Sequence, residues 1–165
     1  MKQTNYHSPL GPMTILADEQ ALYGVWFNDQ KYFGGHYDLT TIPHGQTAQG
    51  QRAQHWLEQY FAGQQPALTG LTLAPHTTAF QQRVYQLLQQ VPYGQTVTYQ
   101  ALAHALQAAP QQPQLARAVG NAIAHNQMLV LIPCHRVIGS NGALTGYAGG
   151  LDRKKALLTL EGSGC

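Results

Sequence analysis

Residues 98–126, TYQALAHALQAAPQQPQLARAVGNAIAHN, hold two helical patterns interrupted by a pair of prolines. Thr98 is a good N-cap, because its hydroxyl can accept from an amide of the first turn, and Leu102 and Leu106 follow at helical spacing. The interruption AAPQQPQ, with Pro110 and Pro113, ends that helix and starts the next. In the second helix Leu115, Val119, Ala122 and Ile123 form the face to be buried. Two short helices joined by a tight proline-containing turn predict helix-turn-helix geometry.

The other side of that second helix offers Arg117, Ala118, Gly120, Asn121 and Ala124, nearly all small. Two explanations stand. The face could pack tightly on another part of the protein, or it could let the backbone approach something flat or narrow, such as a nucleic-acid groove, with Arg117 as its one long probe. Gly120 in mid-helix costs about 1 kcal/mol relative to alanine, so a close approach of one kind or the other is expected there.

Upstream, Phe80, Val84, Leu87, Leu88 and Val91 make an apolar helical stripe that Pro92 and Gly94 terminate. Downstream, VLIPCHRVIG has the composition of a buried strand broken by Pro133, Asn141-Gly142 is a hairpin-type turn signal, and GYAGG is a flexible loop. LDRKKALLTLEG predicts a last helix with a basic first turn and Glu161 at its end. That order opposes the helix dipole at both ends, so function rather than helix stability is expected to place these charges. At the N-terminal end, MTILA, the polar DEQ and ALYGVWF read as a hairpin of half-buried strands. RAQHWLEQYFAG then predicts a helix burying Ala53, Trp56, Leu57 and Tyr60 and stopping at Gly63, and residues 64–75 read as a linker.

With 44% hydrophobic and 10% charged residues in 165, the chain is predicted to fold as one domain, or as a small one fused to a slightly larger one. No run of about 18 apolar residues occurs, which argues against membrane insertion. The segment MKQTNYHSPLG lacks the apolar core of a signal peptide, so a cytoplasmic location is expected. Charge is uneven: residues 1–82 carry three basic and five acidic side chains, whereas residues 83–165 carry six basic and two acidic ones. A polyanion would bind the second half.

The chain has two cysteines, Cys134 inside the PCHR run and Cys165 at the last position, which make no disulfide framework. A lone cysteine in an apolar run is most often a small buried hydrophobe. Here His135 and Arg136 follow at once, and a histidine partner raises the thiolate fraction of a thiol that is otherwise only about a few per cent ionised at neutral pH. The eight histidines are scattered without CxxC, HxxxH or HExxH spacing, so a metal site is the weaker alternative. A papain-like hydrolase built from Cys134, His135 and Glu161 is a further one, although adjacent residues meet side chain to side chain only through a bridging water or an irregular turn.

PCHRV, preceded by ARAVGNA and VPYGQTVTYQALA and followed by YAGGLDRKKALLTLEG, resembles the O6-alkylguanine-DNA alkyltransferases over about residues 77–162, with four motifs in the family's order and spacing. The first 76 residues resemble the family more loosely, through SPLGPMTILA and ALYGVWF. The resemblance implies an α+β chain: a small N-terminal α/β (ribonuclease H-like) domain and linker over residues 1–76, then a mostly helical helix-turn-helix domain with the PCHR site over 77–165.

It further implies that Cys134 takes an alkyl group from O6 of guanine in double-stranded DNA and keeps it, so that each molecule acts once. His135 and Glu161 would relay the cysteine proton through a water, and Tyr99 would donate to guanine N3. Arg117 would enter the duplex in place of the flipped nucleotide, with Ala118, Gly120, Asn121 and Ala124 lying in the minor groove. Asn126 matches the family's hinge. Tyr147, Ala148 and Gly149 match the loop over the base, with the Ala148 amide as donor to O6 and the Cys134 and Val137 carbonyls as acceptors for the exocyclic amine. Ala148 stands where some members carry serine, so one hydroxyl contact is lost. No cofactor or metal is implied, since no cysteine precedes position 134 to build the zinc site of some members, and the protein is expected to be monomeric. A DNA-binding regulator would need the helix-turn-helix without the thiol, and a cysteine hydrolase would turn over many times.

Overall fold

The computed structural model describes residues 1–106 and 113–163. Pro110 and most of the proline turn, like Cys165, lie outside them. The chain divides into two units: Met1–His76 joined by Gln127–Leu131, and Thr77–Asn126 with Ile132 onward.

The first unit is built on β1 (Lys2–Ser8), β2 (Gly11–Ala17) and β3 (Leu22–Phe27), antiparallel in that order. The expected hairpin is therefore the β2–β3 part of a three-stranded sheet. β1 was not legible, because KQTNYHS has almost no apolar alternation; pairing along the whole of β2 makes it a strand. β2 and β3 are buried nearly throughout rather than half-buried, as strands covered on both faces must be. The free side of β3 is occupied by two single-residue pairings, Leu22 with Leu73 and Val25 with Met128, which is why Gln127–Leu131 belongs to this unit.

Helix α1 (Ala48–Phe61) starts five residues before the apolar pattern does, because Thr47 caps the Gly50 amide and Glu19 takes that of Ala48. It buries Ala53, Trp56, Leu57 and Tyr60 and ends at Gly63, whose φ of +84° suits the left-handed position after a helix.

The second unit opens with α2 (Ala79–Gln89), held at its start by a capping box between Thr78 and Gln81. Val84 and Leu88 are buried as predicted, but Phe80 and Leu87 are only half-buried. Tyr85 takes their place, its hydroxyl donating to the Ala122 carbonyl at 2.8 Å. The two-residue strand β4 (Val97–Thr98) feeds α3 (Tyr99–Ala105) directly, with Thr98 as N-cap. Helix α4 (Pro113–Ala124) packs on α2 and α3 through Val119, Ala122 and Ile123, while Leu115 is half-buried.

VLI of VLIPCHRVIG is not a strand: residues 129–132 turn, with Val130 at φ +73°, and Cys134–Arg136 form a single 3-10 turn. Only Val137–Ile138 extend, as β5, parallel to β4. Asn141-Gly142 does close a tight turn, Gly139 and Ala143 exchanging a bond of 2.9 Å, but it joins no pair of strands. Helix α5 (Leu151–Leu160) completes the unit, with Leu157 and Leu158 buried. Among the described residues no helix is long and apolar enough to cross a membrane.

Two glycines have opposite surroundings. A Cβ on Gly24 would lie 1.9 Å from Cη2 of the fully buried Trp26, whereas one on Gly120 meets nothing within 4 Å. Gly24→Ala should therefore destabilise the fold by about 2–3 kcal/mol. Gly120→Ala should stabilise it by roughly 0.5–1 kcal/mol, and urea denaturation of both variants reads the difference in sign.

Candidate active site

Cys134 sits at the start of the 3-10 turn because Pro133 cannot donate and directs the chain so that the Cys134 amide bonds back to Ile132 at 2.8 Å and the Arg136 amide to Pro133 at 3.0 Å. The thiol is buried. Asn126, just beyond α4 and itself buried, donates from Nδ2 both to the Ile132 carbonyl (3.0 Å) and to Sγ (3.2 Å). The predicted hinge residue thus ties the end of α4 to the thiol.

His135 is fully buried on the same turn, and its Nε2 lies 2.7 Å from Glu161 Oε2. Glu161, the C-cap of α5, is equally hidden from solvent. Its Oε1 accepts from Arg136 Nε (2.8 Å) and from the Gly94 amide (3.3 Å), and its Oε2 also accepts from Arg136 Nη2 (3.1 Å). The acid at the wrong end of the helix dipole is held by this fork, which outweighs a dipole effect of about 0.3–1 kcal/mol. Arg136 is further anchored to the Val91 carbonyl at 2.7 Å and covers the Tyr93 ring.

The charges at the other end of α5 divide. Lys155 is exposed, and Arg153 donates to the Gly149 carbonyl. Lys154 is fully buried and donates to the carbonyls of Thr145 (2.9 Å) and Gly146 (3.1 Å). Tyr99 donates to the same Thr145 carbonyl at 2.9 Å, so the hydroxyl expected to serve a guanine rests on the loop that begins GYAGG. In that loop the Tyr147 ring stands edge-on to His135, Ala148 is half-buried and Gly149 buried. Val137 is buried, and its amide bonds to the Cys134 carbonyl, one of the two carbonyls expected to receive the exocyclic amine.

On α4, Arg117 and Asn121 are exposed and Ala118, Gly120 and Ala124 half-exposed. Nothing among the described residues approaches the Cβ position of Gly120, so their packing does not call for a glycine there.

Electrostatics correct one expectation. The adjacent histidine was to raise the thiolate fraction; instead burial pushes the Cys134 thiol up to about 11, against weaker lowering by Asn126, Lys154 and the backbone. At rest Cys134 is a thiol. Burial also holds His135 below its ordinary value, more strongly than Glu161 raises it, so the ring is a neutral base at pH 7. Tyr99 is raised by burial and remains a donor.

Sequence reasoning missed Arg136 and Lys154 as parts of this site. The signal for Lys154 was available: it shares with Leu157, Leu158 and Glu161 the i, i+3, i+4, i+7 face of α5, a place for a buried residue. Among the described residues no group of three His, Cys, Asp or Glu side chains is placed to hold a metal ion.

Two family models match the chain. "6-O-methylguanine DNA methyltransferase, ribonuclease-like domain" covers residues 1–75, and "6-O-methylguanine DNA methyltransferase, DNA binding domain" covers residues 79–163. A methylated-DNA–protein-cysteine methyltransferase of Methanosarcina acetivorans is 40% identical over 161 residues, 96% of each chain. The constitutive enzyme of that name from Bacillus subtilis is 36% identical over 94% of this chain and 91% of its own. The crystal structure of Mycobacterium tuberculosis OGT in complex with DNA matches with a TM-score of 0.84 at 37% identity, covering 99% of this chain and 94% of that one.

The raised thiol has a measurable consequence. A reference cysteine ionises at 9.0 and the folded one near 11, so rising pH deprotonates the unfolded chain first. The stabilising contribution is complete below the lower value and is lost as pH climbs toward the higher one. Between about pH 9 and about pH 10.5 the unsubstituted protein should lose about 1–2 kcal/mol more than Cys134→Ala in urea denaturation. Parallel pH dependences would contradict the buried, un-ionised thiol.

Proposed function

The chain belongs to the 6-O-methylguanine DNA methyltransferase family, and from that premise we propose that Cys134 is the single-use acceptor of an alkyl group from O6-alkylguanine in double-stranded DNA. The reaction is direct repair. The observation that carries the assignment is the buried Cys134 thiol, contacted by Asn126 and followed on one turn by His135, whose ring is backed by Glu161.

Sγ attacks the alkyl carbon in line as the carbon–O6 bond breaks and its electron pair leaves with the purine. The thiol proton passes through the relay to His135, and the neighbouring Glu161 carboxylate stabilises the imidazolium so formed. Tyr99 releases the Thr145 carbonyl and turns its hydroxyl to guanine N3, while the Ala148 amide donates to O6; both act where negative charge develops. Lys154 stays on the same carbonyls, so the loop keeps a donor when Tyr99 leaves it. The product is a thioether, too poor a leaving group to regenerate the thiol, which makes the reaction stoichiometric.

The duplex is met by the outer face of α4. Ala118, Gly120 and Ala124 allow close approach, Asn121 lies beside them, and Arg117 fills the space vacated by the flipped nucleotide at a cost of about a few kcal/mol.

Incubation with a duplex containing O6-methylguanine, followed by peptide mass spectrometry, should find one methyl group on the Cys134 peptide, at no more than one per molecule. Absence of methyl there, or multiple turnovers, would sink the assignment. Arg117→Ala should slow repair of the duplex more than reaction with free O6-benzylguanine. Gly120→Ala should weaken duplex binding while raising stability, and a variant that binds as well as the parent protein would refute the close approach of α4.

A further inference from the structure

Among the charged groups of the site, Arg136 has no part in the transfer as described above, yet it makes the most specific contact there. Its guanidinium meets the hidden Glu161 carboxylate through Nε at 2.8 Å and Nη2 at 3.1 Å, while its Nη1 is tied to the Val91 carbonyl at 2.7 Å. The Arg136 side chain is 11% exposed and that of Glu161 0%. The fork therefore lies at the boundary between solvent and a wholly buried acid–histidine pair.

We propose that Arg136 is a positioning residue: its fork keeps Glu161 ionised, and thereby keeps His135 neutral with its hydrogen on Nε2, the tautomer whose Nδ1 lone pair can take the Cys134 proton. The inference rests on the reading of Cys134 as the alkyl acceptor. A buried carboxylate persists as an anion when cationic donors meet both oxygens. Without the guanidinium, Glu161 would lose its charge-assisted donors on both oxygens, with the Gly94 amide and His135 still among its partners, and the pair would gain a proton.

That proton has two places to sit. On His135 it makes an imidazolium, which has no lone pair to offer. On Glu161 the new O–H donates to Nε2, which moves the ring hydrogen to Nδ1 and again closes the base. Both forms are the same singly protonated pair, and both are inactive. The other charged or titratable groups facing His135 are Lys154 from α5, Arg136 on its own turn, Tyr147 from the loop and Cys134 beside it; Tyr93 faces Glu161 and Arg136. With Arg136 removed, Lys154, bonded to the Thr145 carbonyl, is the cation named above that still opposes protonation of the pair.

The test compares Arg136→Gln and Arg136→Lys with the parent protein in single-turnover transfer from an O6-methylguanine duplex over a range of pH. In parallel, nitrogen NMR of labelled histidine in the free proteins reads the His135 tautomer without any reaction. Arg136→Gln should shift the acid limb of the rate upward by about one pH unit or more, slowing transfer roughly tenfold near neutrality and recovering at higher pH. Arg136→Lys should fall between, since it restores charge without the fork. The ring of the parent should be neutral with hydrogen on Nε2, and that of Arg136→Gln should carry hydrogen on Nδ1 at neutral pH. A uniform fall in rate at every pH, or an unchanged ring in Arg136→Gln, would overturn the proposal and leave Arg136 a structural residue. If the parent itself transfers no methyl, the assignment of Cys134 fails, while the NMR comparison still decides the role of Arg136.

Discussion

A carboxylate taken out of water must find donors for its charge, and Glu161 is the group around which the catalytic unit is organised. Its oxygens gather the amide of Gly94 from the turn after α2, the ring of His135 and the guanidinium of Arg136 from the 3-10 turn, at the C-cap of α5. Several kcal/mol of desolvation are offset in this way. The geometry that satisfies the charge also fixes the position and ring orientation of His135. Loss of the acid would take from Arg136 and His135 the carboxylate they share, so the structural role of Glu161 and the catalytic one proposed for it rest on the same hydrogen bonds.

At the other end of α5 a second buried charge sets the loop. Lys154 and Glu161 lie two turns apart on one helical face, one holding the Thr145 and Gly146 carbonyls beside Tyr99, the other holding His135. A single helix thus positions both His135, the proposed proton acceptor for the thiol, and the loop on which Tyr99, the proposed purine donor, rests. The weak amphipathicity of LDRKKALLTLEG follows, since two of the positions facing inward are charged.

The parts of this arrangement that were legible in the sequence are those set by local rules. Thr98 as a cap, the α2 residues Val84 and Leu88, and the α4 face of Val119, Ala122 and Ile123 follow from spacing and hydroxyl chemistry. β1 was hidden because its partner strand, not its own composition, makes it extended. VLIPCHR misled because burial and β-branching look the same in a strand and in a buried turn; Val130 at φ +73° is a conformation no propensity would assign to valine. The candidate residues Cys134, His135 and Glu161 were picked out through a resemblance of motifs, but the sign of the thiol shift was not legible. Desolvation depends on the whole surrounding packing, and the residue next in sequence does not decide it.

That sign bears on how a protein consumed by one alkylation remains useful. A thiolate ionised at rest would react with any small electrophile that reached it, and each such event would remove a molecule. Burial keeps Cys134 protonated, while the groups proposed to lower its barrier are already in place: Asn126 on the sulfur, Lys154 acting on it electrostatically, and a neutral His135 beside the Glu161 carboxylate. Each unit of thiol shift corresponds to about 1.4 kcal/mol, so a shift of about two units suppresses the resting thiolate roughly a hundredfold. In the proposed mechanism, what restores reactivity arrives with the substrate, when Tyr99 leaves the Thr145 carbonyl and the relay engages. In the proposed mechanism, selectivity for a flipped base then comes from withholding the nucleophile until that base is bound.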